Sequence, residues 1–220
     1  MKISNRLKTV ASFVLDNSYV IDVGCDHALL SIYLVKNKKN IKVIASDINE
    51  LPLKCARENI KKYEVEDLIT IVKQDGIESI DKNVDTIILS GMGTSTILDV
   101  VFRDKNKLKN IKRIIVSSNN DYYDLRYNFS KNGFYIVDEE IVCEKGKYYP
   151  IIVFEKGYSK YSYKQLYCGP ILLNNNSSVF KDYILSILNK KIDIYSNLSN
   201  KYLFKKISIK KEIRMLKKII

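Results

Sequence analysis

Val20-Ile21-Asp22-Val23-Gly24-Cys25-Asp26-His27-Ala28-Leu29-Leu30 is the stretch that decides how this chain folds. An apolar run ends in Asp-x-Gly and passes directly into a helical pattern, the form of a first strand, a tight turn and a helix N-terminus. Such a turn cradles nucleotide-like cofactors at the edge of a parallel sheet. A dinucleotide fingerprint needs its second glycine where a pyrophosphate settles on the helix N-terminus. Asp26 occupies that position, and its carboxylate repels a pyrophosphate. A cofactor without phosphates and with a positive centre tolerates it. S-adenosylmethionine, an adenosine carrying a sulfonium, has that chemistry, so these residues point to methyl transfer. A nicotinamide enzyme is disfavoured by the same carboxylate.

From residue 19 onward strand-like and helix-like segments alternate, which predicts an α/β fold with a mostly parallel sheet covered on both faces. Strands are expected at 19–23, 41–46, 69–73, 86–90 and 113–116, with helices at 28–35, 52–62, 94–102 and 123–131. Segments 134–142 and 149–154 read as a closing hairpin through Glu144-Lys145-Gly146-Lys147, an antiparallel pair at one edge. A helix over 6–15 leads the chain. After Gly157 the pattern changes to a short helix at 161–168, stopped by Gly169-Pro170, and a polar break at Asn174-Asn175-Asn176-Ser177. Two amphipathic helices follow, one with a stripe at Phe180, Ile184, Ile187, Lys191 and Tyr195, the other at Ile209, Ile213, Leu216 and Ile220. With Ser199-Asn200 as turn and cap they read as a helical hairpin. The domain boundary is therefore placed at 157, with a cofactor-binding domain over 1–157 and a helical appendage over 158–220.

Composition narrows the class. With 220 residues, 46% of them hydrophobic, the chain can bury one medium core and carry an appendage. No apolar run is long enough to cross a membrane, and the first residues lack the apolar core of a signal peptide. Cys25, Cys55, Cys143 and Cys168 are widely spaced and there is one histidine, so no metal site is expected. Reduced thiols, a cytoplasmic location, no membrane partner and a monomer are the corresponding expectations. The net charge of +12 is unevenly placed: residues 156–220 hold fourteen Lys and Arg against three acids, whereas residues 1–155 hold 23 against 22. A basic end of this kind is the footprint of a nucleic-acid or anionic-membrane partner. Compositional drift towards lysine is the alternative, but drift alone raises both parts of a chain.

The strand ends carry the chemistry. Asp47, 23 positions after Gly24 and followed by Ile48, stands where an acid accepts from ribose hydroxyls. Gln74-Asp75-Gly76 can offer a carboxylate to an adenine amino group, or be an ordinary Asp-Gly turn. Ser90-Gly91-Met92-Gly93 allows close approach to the fourth strand end. An adenine ring nitrogen brings its own lone pair to a methyl group, so no base is demanded. The product ring gains a positive charge that a nearby carboxylate stabilises, and Asp26 is best placed for it. His27 is either a structural donor at the helix start or a secondary contact to substrate.

Asp22-x-Gly-x-Asp-His-Ala-x-Leu, Asp75-Gly76, Ser90-Gly91-Met92-Gly93, Arg126, Lys147-Tyr148-Tyr149 and Gly169-Pro170 together resemble the bacterial TrmK-type tRNA (adenine-N1)-methyltransferases. The resemblance runs from Arg6 to about Pro170, and the helical tail matches in kind. It implies a class I methyltransferase sheet with a coiled-coil-like C-terminal domain, S-adenosylmethionine as donor, and N1-methylation of adenosine 22 in tRNA. With the motifs, it implies Asp26 and Asn119 at the reacting base, and cofactor contacts from Gly24, Cys25, Asp47, Ile48, Gln74, Asp75, Gly76, Ser90, Gly91 and Met92. Arg6, His27, Arg126, Tyr149, Lys205, Lys206, Lys210 and Lys211 are the implied substrate contacts. Two positions differ from the family pattern: Thr94 replaces a glycine, and Ser117-Ser118-Asn119 replaces Gln-Pro-Asn. A methyltransferase for another substrate and a silent RNA-binding module on the same fold stay open as alternatives. Retention of Asp26, Asp47 and Asp75 argues against the silent module.

Overall fold

The computed structural model describes residues 1–78 and 80–220, with Asn200 described by its backbone alone. The chain divides into two compact units, Met1–Lys160 and Tyr161–Ile220.

The first unit is a seven-stranded sheet. Its elements in chain order are α1 (Asn5–Ser12), β1 (Tyr19–Val23), α2 (Leu29–Asn37), β2 (Lys42–Asp47), α3 (Glu50–Lys62), β3 (Ile69–Lys73), β4 (Thr86–Ser90), α4 (Thr94–Phe102), β5 (Arg113–Ser117), α5 (Tyr122–Lys131), β6 (Phe134–Glu144) and β7 (Lys147–Lys156). The spatial order is β3-β2-β1-β4-β5-β7-β6. β1 to β5 run parallel, and β7 is antiparallel to both β5 and β6. The central strands read as continuous apolar runs because helices cover both faces; Val20, Ile21, Ile87, Ile88 and Leu89 are fully buried. The chain winds from β1 outward to β3, then returns to add β4 on β1's other side. That reversal opens a crevice at the carboxyl ends of β1 and β4.

Differences from the expected boundaries have local causes. β2 runs one residue further, so that Asp47 pairs in register with Lys73. The Ser4 hydroxyl accepts from the Leu7 amide and starts α1; the helix stops at Ser12, where Phe13 and Val14 amides reach back only three residues. Arg113 then donates to the Phe13 carbonyl at 2.8 Å and to Glu155, fixing that turn against β5 and β7. The closing hairpin is tighter than expected. Lys145 and Gly146 alone form its turn, at φ +50° and +75°, the backbone that matches strand twist.

The second unit holds α6 (Tyr163–Cys168), α7 (Pro170–Asn175), α8 (Ser178–Asn197) and α9 (Leu203–Leu216). Helix α7 is absent from the sequence expectation. Gly169, at φ +96°, does end α6, but Pro170 then opens a new helix, where its missing donor costs nothing. Ser177 caps α8 through the Phe180 amide. Phe180, Tyr183, Ile184 and Leu188 of α8 are buried, as are Ile209 and Leu216 of α9. Lys191 interrupts the α8 stripe and pairs with Glu212 of α9 at 2.6 Å, its ammonium also lying over the Tyr167 ring. Helices α8 and α9 pack against each other as a hairpin. No helix among the described residues is long and apolar enough to cross a membrane.

Candidate active site

β1 delivers the chain into a turn with Gly24, Asp26 and Ala28 all at positive φ, at +69°, +51° and +55°. The Gly24 and Cys25 amides both donate to the Ser46 carbonyl, at 2.8 and 2.9 Å, and this clamps the turn onto β2. The loop after β4 lies directly over it: a Cβ on Gly24 would collide with the terminal methyl of Met92. Glycine is favoured here by conformation, and any side chain would also have to displace the flexible end of Met92.

Under these loops is a cavity of about 410 Å³, lined among others by Arg6, Asp22, Asp26, His27, Ser90 and Met92. Asp22 is 3% exposed, and its carboxylate accepts from the Ser31 hydroxyl at 2.7 Å. Burial pushes this acid up to about 6, against the Ser31 hydrogen bond and with help from the charge of Asp47. The sequence reading treated Asp22 as a fold signature and missed it as a site residue. A carboxylate inside an apolar strand was the available signal, since an ion is expensive to bury without work to do. The Ser90 hydroxyl, also in the cavity wall, is buried without a hydrogen-bond partner among the described residues.

Arg6, Asp26 and His27 stand together at this cavity. Arg6 arrives from α1 and lies over the Tyr149 ring of β7, 5.0 Å from its centre. Asp26 and His27 approach to 3.6 Å and remain well exposed. Helix α2 has Ala28 at its N-cap and no side-chain cap, so His27 is not the cap of that helix. Asn119 is strapped across the β4 loop, its amide on the Met92 carbonyl at 2.9 Å and its carboxamide on the Gly91 carbonyl at 2.7 Å. The two departures from the family pattern meet in space. Thr94 and Ser118 hydroxyls hydrogen-bond at 2.9 Å, and Thr94 also donates to the Asn120 carbonyl at 2.6 Å.

The remaining cofactor candidates follow along the sheet edge. Asp47 accepts from the Asn49 amide at 2.9 Å through one oxygen. Ile48 is 58% exposed beside it, an apolar surface suited to a flat ring. Gln74 is buried and donates to the Gly76 carbonyl. Asp75 is turned elsewhere: its carboxylate accepts from Arg103 at 2.8 Å, and it lines a separate depression of about 220 Å³ against α4. Exposed pairs of this kind are worth about 1 kcal/mol or less, so a ligand can recruit Asp75 cheaply.

Arg126 corrects the sequence reading. Its side chain is 1% exposed and donates to Glu139 at 2.6 Å, a buried ion pair joining α5 to β6. A guanidinium enclosed in this way holds the sheet edge and does not reach RNA. Lys205, Lys210 and Lys211 are exposed in the second unit, while Lys206 is half-buried over the Tyr195 ring.

The fold and cavity define an α/β methyltransferase, and the profile of the methyltransferase domain family matches residues 3–152. The tRNA (adenine(22)-N(1))-methyltransferase of Bacillus subtilis is 31% identical over 206 residues, covering 90% of this chain and 87% of that protein. Streptococcus pneumoniae Sp1610, solved with S-adenosyl-L-methionine, superposes with a TM-score of 0.91 at 31% identity, covering 99% of both chains. TrmK of M. capricolum, solved with S-adenosyl-homocysteine, does so with a TM-score of 0.87 at 27% identity, covering 99% of this chain and 97% of that one. The chain belongs to the family of tRNA (adenine(22)-N(1))-methyltransferases.

The cavity suits S-adenosylmethionine on its own evidence. A buried anion, Asp22, and an unpartnered hydroxyl, Ser90, face a space entered over a glycine turn, which matches a ligand bearing an ammonium and a sulfonium. Asp22 also yields a test. Between the ordinary carboxylate value and about pH 6 the folded chain holds a proton that the unfolded chain has released. Stability contributed by Asp22 therefore falls as pH rises through that window and stays low above it. Asp22→Asn should remove this slope and raise stability at pH 7.5 by up to about 3 kcal/mol, while weakening cofactor binding. Urea unfolding of both proteins at pH 4.5 and 7.5 reads the difference; an unchanged slope removes the assignment.

Proposed function

We propose that this protein methylates N1 of adenosine 22 in tRNA, with S-adenosylmethionine as donor. The observation that carries the reading is the convergence of Asp22, Ser90, Arg6, Asp26 and His27 on one cavity at the point where the strand order reverses. When bound, S-adenosylmethionine supplies an electrophilic methyl group. Asp22 and the Gly24–Cys25 turn hold its amino-acid end, Asp47 its ribose, and Ile48, Gln74, Asp75 and Gly76 its adenine. Ser90, Gly91 and Met92 close the cavity from above. The lone pair on adenine N1 would form the new C–N bond in line as the methyl–sulfur bond breaks. The electron pair of the broken bond would stay on sulfur as a neutral thioether, so that the positive charge passes from the donor to the ring. Asp26 faces that charge, Asn119 holds the base edge, and Arg6 on Tyr149 meets the RNA beside it. The basic second unit docks tRNA through Lys205, Lys206, Lys210 and Lys211. The protein works as a cytoplasmic monomer.

Asp47→Ala should weaken S-adenosylmethionine binding by roughly tenfold to a hundredfold, the loss of a charged hydrogen bond worth about 1.5–3 kcal/mol. Titration calorimetry showing unchanged affinity removes Asp47 from the ribose. The function itself is tested by incubating the protein with labelled cofactor and bulk tRNA, then digesting to nucleosides. Label in 1-methyladenosine is the expected result, with a primer-extension stop at position 22 of a methylated tRNA placing it. Label in another nucleoside, or none, overturns it.

A further inference from the structure

We propose that the start of α9 forms a stacking platform for an unpaired base of tRNA, with Phe204 as its ring. The proposal rests on the reading that the second unit docks tRNA and gives that contact a chemistry beyond phosphate charge.

Phe204 is 90% exposed, and Tyr202, Leu203 and Ile207 around it are each about half exposed. The chain's six other phenylalanines are buried or half-buried, so the exposure of this one is not a general looseness. At about 100° per residue, Phe204 sits roughly 120–140° around the helix from the buried Ile209 and Leu216. It therefore takes no part in the hairpin's seam. Its setting is uniformly basic: residues 198–211 hold five lysines and no acid. Lys201 and Lys205, both exposed, lie three positions before and one after the ring.

An aromatic face flanked by cations matches a nucleotide, whose base stacks while its phosphates are neutralised. A second copy of this chain fits poorly, because it would bring five more lysines to the contact. Stacking tolerates any base, so the platform adds affinity for unpaired RNA without reading sequence.

The chain contains no tryptophan, so Phe204→Trp installs a single indole at the platform, excited selectively at the red edge where the sixteen tyrosines do not absorb. In the full-length protein its fluorescence should be quenched by tRNA and by a single-stranded oligonucleotide, and much less by a blunt RNA duplex. Phe204→Ala should weaken tRNA binding about tenfold with an unchanged salt dependence, because stacking releases no counterions. Its melting curve should match the parent, as the ring is exposed. Full affinity in Phe204→Ala alongside weakened binding in a Lys205→Ala, Lys210→Ala, Lys211→Ala variant overturns the platform and leaves tail docking intact. If neither variant loses affinity, tail docking falls and the platform with it. Brightened, blue-shifted emission on phosphatidylglycerol vesicles without quenching by RNA overturns the proposal in favour of a membrane contact. A dimer in sedimentation that Phe204→Ala dissolves overturns it in favour of self-association.

Discussion

A chain ending at Lys160 should still bind S-adenosylmethionine but lose nearly all methylation of tRNA. Every strand end that faces the cofactor lies in the first unit, and that unit has its own core around β1, β2 and β4. The second unit carries twelve Lys and Arg against three acids, and ten of the twelve are exposed. Charges of that kind contact backbone phosphates and set affinity and orientation rather than sequence choice. Binding by the full chain should weaken steeply with salt, each phosphate contact adding roughly −0.7 to −0.9 to the log–log slope. Calorimetry with the cofactor, a thermal melt and filter binding to tRNA separate the possible failures. If the shortened chain is folded and methylates tRNA as well as the full one at moderate salt, the tail is not the docking element. Its charge is then compositional drift.

How much of this was legible before the structure depended on range along the chain. The turn at Gly24 to Ala28 was readable because its determinants are adjacent: an apolar run, a glycine and a helix start. The strand ends were readable because parallel strands place all their carboxyl ends on one side. Asp75 was located correctly but not oriented, since its partner Arg103 is 28 residues away. Arg126 failed for the same reason in stronger form. It shares a helix face with Phe129, three positions on, and its counter-ion Glu139 lies in the next strand. A cation on an apolar helix face followed by an acidic strand was a usable sign of a buried pair. Thr94 and Ser118 read in sequence as two separate losses of the family pattern. In space they are one hydrogen-bonded junction that holds the Asn119 loop against the start of α4. Neither residue alone signals the other.

Asp26→Asn should lower the methylation rate by roughly a hundredfold to a thousandfold while leaving the fold and most cofactor affinity in place. The substitution removes a charge and little else. Asparagine accepts the left-handed backbone that position 26 adopts, whereas Asp26→Ala adds strain to the same turn. In the free protein Asp26 is largely exposed, so its charge is screened by water. Docking of the tRNA base over the cavity should displace that water, and the carboxylate should then act at short range on a ring that is becoming cationic. The effect should fall on turnover of bound substrate and little on the affinity for tRNA, because the neutral adenine of the ground state has no charge for Asp26 to meet. His27 supplies the control: it lies 3.6 Å from Asp26, beyond hydrogen-bond distance and itself well exposed, so its replacement by alanine should retain most activity. Single-turnover measurements at saturating tRNA decide between the roles. Full activity in Asp26→Asn would move charge stabilisation to Asn119 and the backbone around Gly91. A loss in His27→Ala equal to that in Asp26→Asn would make the pair, and not the carboxylate, the working unit.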